Sequence, residues 1–184
     1  MTDQPNATTS ALPAQERAVA TLAAEVAARL RDRNWRLIAA ESCTGGLLAA
    51  ALTALPGSSN WFEGSFVTYR LSAKEQMLGV STQMLQRHGA VSEPVARAMA
   101  EGALHNSSAD ISVSITGIAG PEGGDVRLPV GTVWFGWGLR LPEIQCAQTA
   151  THRLPGDRQQ IRLAAVAVAL RGILELTSPA QGAR

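Results

Sequence analysis

Aromatic side chains are scarce in this 184-residue sequence, which holds one tyrosine, three phenylalanines and four tryptophans. Its core must therefore rest on aliphatic residues and alanine, small enough to let helices sit close to their neighbours. Cysteine is almost absent. Cys43 and Cys146 are the only two, and their separation suits neither a disulfide framework nor a thiolate metal site. The three histidines, His88, His105 and His152, have no ligand spacing, so no metal or other cofactor is expected. Charge of one sign is missing too. Sixteen basic and fifteen acidic residues leave a formal net charge of +1, and no basic run offers a footprint for nucleic acid. No apolar run approaches the ~20 residues that span a bilayer. Met1 to Pro13 lacks the basic and apolar regions of a signal peptide, so a cytoplasmic location is expected.

Apolar residues make up 46% of the chain, and a chain of this length suits one domain around one core. Residues 1–14, rich in Thr, Asn, Ser and Pro, read as a disordered leader, residues 15–177 as the domain, and residues 178–184 as a frayed tail. Val19, Leu22, Ala23, Val26 and Leu30 recur at helical spacing from Gln15 on. Arg36 to Ala40 then reads as a buried strand, Thr44 to Leu55 as a helix, and Phe62 to Tyr69 as a second strand. Ser72, Ser81 and Ser92 are expected to cap helices that run to Leu78, His88 and His105. Asp110 to Thr116 reads as a strand. Val130 to Trp137 and Ile144 to Thr151 read as neighbouring strands around Leu141-Pro142, and Asp157 as the cap of a helix from Arg158 to Leu176. This order predicts an α/β fold, a single three-layer α/β/α domain with a mixed, mostly parallel sheet.

Ligands of open α/β sheets bind beyond the carboxyl ends of the strands. Two loops occupy such ends. In Glu41-Ser42-Cys43-Thr44-Gly45-Gly46 a strand stops and a helix begins. Its free backbone N–H groups can hold a phosphate or an oxyanion, although Ser42 and Thr44 equally suit plain helix caps. Thr116 to Gly124 carries four glycines and a proline, a composition that can form an anion-binding concavity or a simple surface loop. A third segment, Tyr69 to Lys74, ends a strand and places a lysine about one helical turn further on. Such a lysine is a general base if burial lowers its pKa, or otherwise a solvated charge. Cys43 is either a nucleophile at a helix N-terminus or a small buried residue.

These segments, in this order, resemble the CinA C-terminal-domain family. The resemblance is carried by AESCTGG (40–46), LPGSSNWFEGSFVTY (55–69), Ala73-Lys74 with Leu78 to Val80, HGAVSEPVARAMAEGAL (88–104), SITGIAGPEGG (114–124), PVGTVWF (129–135) and PGDR (155–158). It implies a compact α/β/α domain with a mixed sheet, assembled into a homo-oligomer, with no metal. It also implies hydrolysis of nicotinamide mononucleotide to nicotinate mononucleotide and ammonia. Ser42 would then be the nucleophile, assisted by Tyr69 and Lys74. Thr44, Gly45 and Gly46 would serve the oxyanion or the phosphate, and Thr116, Gly117 and Gly120 the ribose phosphate. Arg158, whose fork matches phosphate geometry, would meet the phosphate or a partner subunit. Two positions depart from the family pattern: Leu71 stands for a usual asparagine and Leu128 for a usual lysine. They keep two other readings open, a non-catalytic pyridine-nucleotide-binding regulatory module and an amidohydrolase of another small amide.

Overall fold

Five consecutive buried positions, Leu37 to Glu41, make β1 (Leu37–Glu41) an inner strand of the sheet. The computed structural model describes residues 13–140 and 142–178. The expected leader at 1–12, the tail from 179 and Leu141 in the expected turn lie outside the described residues. β1 follows α1 (Ala14–Arg33) and leads into α2 (Leu47–Thr53). After one 3-10 turn at Ser58–Asn60 come β2 (Phe62–Val67), α3 (Leu71–Leu78), α4 (Thr82–His88) and α5 (Glu93–His105). The chain closes with β3 (Ile111–Gly117), β4 (Thr132–Leu139), β5 (Gln145–Arg153) and α6 (Arg158–Leu176).

The five strands form one sheet in the order β2-β1-β3-β4-β5. β1 pairs in parallel with β2 and β3, while β4 pairs antiparallel with β3 and β5. β4 is thus the only reversed strand, and the sheet is mixed as expected. Side chains alternate across it. Leu37 and Ala39 join the core shared with α1, α2 and α6, whereas Ile38 and Ala40 join the core under α3, α4 and α5. Three layers result. Among the described residues no helix is long and apolar enough to cross a membrane.

The scarcity of aromatics is offset by close approach. α1 and α6 lie side by side in the same direction, with the Arg29 and Arg33 guanidinium groups both donating to the Thr177 carbonyl beyond the end of α6. On the same layer, Gly172 faces the Trp137 indole so closely that a Cβ would collide with the ring. The indole is also fixed by its Nε1 hydrogen bond to the Ala169 carbonyl, at 3.0 Å. Gly172→Val is expected to cost about 1–3 kcal/mol through overpacking, read as a lower urea midpoint; an unchanged midpoint would mean that the helix shifts freely.

On the opposite face, hydroxyls set the alignment. Ser112 donates to the Ala100 carbonyl (2.8 Å), Ser114 to Ala96 (2.6 Å) and Thr116 to Ala90 (2.7 Å). Two strand residues (~6.6 Å) match four helical residues (~6 Å), so Ser112 and Ser114 dock antiparallel on Ala100 and Ala96 of α5, while Thr116 reaches Ala90 ahead of that helix. This docking brings Ala90 and Val91 over the carboxyl end of β3.

Candidate active site

The sheet continues for one residue beyond β1. The Thr68 amide donates to the Glu41 carbonyl (2.8 Å) and the Ser42 amide to the Ile115 carbonyl (2.9 Å). Ser42 is therefore clamped between the ends of β2 and β3. The chain then turns through Gly45 (φ +59°) and Gly46 (φ +91°), a left-handed pair that side chains other than glycine resist. This is why helix α2 begins at Leu47 and not at Thr44.

Glu41 fills the space under that helix. Its carboxylate, completely buried, accepts hydrogen bonds from the amides of Gly46 (3.0 Å), Leu48 (3.1 Å) and Ala49 (3.0 Å) and from Ser65 Oγ (3.0 Å). The Gly45 amide goes to the Ser42 carbonyl, at 3.0 Å. The anion at this N-terminus is thus the protein's own. Gly45 and Gly46, expected with Thr44 to serve a substrate anion, have their amides engaged within the chain, and none of the three lines the cleft described below. Of the turn, the Cys43 and Thr44 amides are left without an acceptor among the described residues. The Thr44 side chain is fully buried, with its hydroxyl unpartnered. Glu41→Ala would strand three amides and a hydroxyl. An expected loss of about 3 kcal/mol or more follows, measurable by denaturant unfolding; a loss below 1 kcal/mol would contradict this capping role.

Lys74, on α3, is 1% exposed. Its Nζ lies 2.8 Å from Ser42 Oγ and 2.5 Å from the Thr68 carbonyl oxygen. Burial pulls its pKa from 10.5 down to about 8, against a small opposing pull from Cys43. With the amine neutral, an N–H can stay on Thr68 while the lone pair receives the Ser42 hydroxyl proton. Cys43 is buried as well, and burial raises its thiol to about 11. The thiolate is the nucleophilic form, and it is rare at neutral pH in such a place.

Ser42, Cys43 and Lys74 line a cleft of about 250 Å³ together with Tyr69, Ala90, Val91, residues of the segment 116–123 and Arg158. Thr116, Gly117 and Gly120 lie in this wall, as their positions in the glycine-rich loop led one to expect; the Thr116 hydroxyl is directed to Ala90 and not to the cavity. Tyr69 stands at the mouth, 59% exposed. Its hydroxyl accepts from Arg158 Nη2 at 3.2 Å, while Arg158 Nη1 donates to the Gly120 carbonyl at 2.7 Å. Tyr69 makes no hydrogen bond to Ser42 or Lys74. Leu71 is exposed at the start of α3, and neither it nor Leu128 lines the cleft. Among the described residues no group of three or more His, Cys, Asp or Glu gathers where a metal ion could be held.

A buried serine–lysine pair at the carboxyl end of a mixed α/β/α sheet defines the class of site. The family model described as the CinA C-terminal domain matches residues 19–177, and the chain belongs to that family. A nicotinamide-nucleotide amidohydrolase PncC from Enterobacter agglomerans is 46% identical over 159 residues, covering 86% of this chain and 95% of the relative. A CinA-like protein from Syntrophobacter fumaroxidans is 50% identical over 145 residues, covering 79% of this chain but only 33% of that longer protein. Among solved structures, the competence/damage inducible protein CihA from Agrobacterium tumefaciens superposes with a TM-score of 0.84 at 39% identity, over 92% of this chain and 99% of the other.

Proposed function

We propose that this protein hydrolyses the carboxamide of nicotinamide mononucleotide, giving nicotinate mononucleotide and ammonia, with Ser42 as nucleophile and Lys74 as its base. The observation that carries this reading is the 2.8 Å contact between Lys74 Nζ and Ser42 Oγ at the buried side of the cleft. A relative with the corresponding name, matched along nearly its whole length, supports the substrate.

Neutral Lys74 takes the Ser42 proton as Oγ attacks the carboxamide carbon. The oxyanion that forms is met by the Cys43 amide, a donor that Glu41 leaves available beside the cleft. The C–N bond then breaks, the Lys74 ammonium protonates the departing amine, and ammonia leaves. Water attacks the remaining ester with Lys74 again as base, releasing the carboxylate and Ser42. The phosphate rests on Arg158 and the 116–123 loop, since the α2 N-terminus is filled. Tyr69, held by Arg158 and not by the serine–lysine pair, serves as a wall of the cleft. A proton relay through it is unnecessary because Lys74 reaches Ser42 directly.

Purified protein is expected to release ammonia readily from nicotinamide mononucleotide and slowly from free nicotinamide. Tight binding of the nucleotide without ammonia would overturn the reading in favour of a regulatory module. Turnover of other amides alone would indicate a different substrate.

A further inference from the structure

We infer that Glu122 is a specificity residue of this cleft and selects substrates whose carboxamide-bearing ring carries a fixed positive charge. The inference rests on the amidohydrolase reading and extends it from the reacting group to the ring. Of the residues that line the cleft, Glu122 is the sole carboxylate, and it shares the cavity with two basic side chains, Lys74 and Arg158. Arg158 and the glycine-rich loop account for the phosphate, and Lys74 for the serine proton. Neither role uses an acid. An N-ribosylated pyridine ring, however, bears a permanent positive charge that Arg158 repels, as does Lys74 whenever it is protonated. Glu122 is the one acidic side chain lining the cavity that can offset that repulsion with a full negative charge.

The placement of Glu122 is set by a segment fastened on both sides of it. Ahead of it, the Gly120 carbonyl is held by Arg158 Nη1 at 2.7 Å. Behind it, Gly124 lies so close to the Val130 amide that a Cβ there would come within 2.6 Å. Asp125 Oδ1 then accepts from the amides of Arg127 and Leu128, each at 2.7 Å, which closes the turn. Gly120 and Gly124 lie close against Val130 and Gly117 against Thr132 and Val133 of β4, and the exposed Glu122 stands among the residues that line the cavity.

The test separates ring charge from phosphate. Nicotinamide mononucleotide and its dihydro form carry the same phosphate and carboxamide, but only the first has a cationic ring. Both are titrated calorimetrically at pH 8 into Ser42→Ala, used as an inactive background, and into Ser42→Ala with Glu122→Gln. Glu122→Gln is expected to weaken the cationic ligand about fivefold, the size of a partly exposed charge pair, and to leave the dihydro form unchanged. Glu122→Asp should keep most of the preference. Arg158→Ala should weaken both ligands alike. Equal weakening of both ligands by Glu122→Gln would reduce the residue to a loop determinant and overturn the inference, as would no change in either. Ammonia release by the wild type judges the reaction separately. Charge preference without turnover would sink the reaction alone, turnover without preference the inference alone, and failure of both ligands to bind would sink both.

Discussion

Lys74→Met is expected to slow ammonia release from nicotinamide mononucleotide by about 10²–10⁴-fold while leaving the protein as stable as before or more so. Few active-site changes have this pairing of effects. The amine is 1% exposed, and its burial is unfavourable whenever it is charged. Methionine has similar length and no charge to bury. The same burial sets the pH response. Because Lys74 titrates near 8 in the fold and 10.5 when unperturbed, the neutral base accumulates as pH rises, and turnover should climb to a plateau with an apparent pKa of about 8. The folded pKa lies below the unfolded one, so the unfolded chain binds more protons between about pH 8 and 10.5. Stability from this group therefore increases with pH across that window and is lost as pH falls through the folded value. In Lys74→Met both the rate profile and this stability increment should vanish. Near-normal turnover in that variant would remove lysine from the chemistry.

The second large effect is expected at Ser42. Ser42→Ala should reduce turnover by on the order of 10⁴-fold or more, because no acyl-enzyme can form. Only a hydroxyl is removed, from a side chain 9% exposed, so nucleotide binding should persist. Its neighbour supplies the control. Cys43 lines the same cleft, but its thiol titrates near 11, and Cys43→Ala should retain activity within a fewfold. Retained activity in Ser42→Ala together with loss in Cys43→Ala would reverse the assignment of the nucleophile.

The layering of this domain was legible from periodicity, because apolar residues at helical spacing and buried β-branched runs report burial directly. Caps were legible in part. Ser81 does accept from the Met84 amide, and Asp157 with Gln160 forms a capping box. Ser92, at the expected position, turns its hydroxyl back to the Gly89 carbonyl, and Ser72 lies inside α3, whose N-cap is Arg70. The strand expected from Val130 begins at Thr132 because Gly131, at φ +91°, gives its amide to Ile118 in a tight loop. Such bonds depend on which segments meet, which a local pattern does not report.

The site followed the same division. Ser42 and Lys74 are 32 residues apart, and their contact could be expected only through family resemblance; α3 folding back beside β2 creates it. Glu41 was passed over although a signal was present. An acidic residue ending a wholly apolar strand must find donors if buried, and the two glycines that follow open the amides it takes. Glu122 was read as part of a glycine-rich loop, without a role. The expected assistance from Tyr69 assumed that it lies beside Ser42 and Lys74, whereas the end of β2 carries its hydroxyl outward to Arg158.

The side-by-side course of α1 and α6 has a practical consequence for anyone wishing to attach this protein to a surface or a dye. The start of α1 lies beside the first turn of α6, where Arg158 borders the cleft, and Glu16 and Arg158 border one shared groove. The end of α6 lies about 30 Å away, the length of a helix of some 20 residues. A dye attached at Glu16, through a cysteine placed there, would sit within reach of incoming substrate. One attached at the exposed Ser178 would leave the cleft open, making that end of α6 the better handle for immobilised or fluorescent assays.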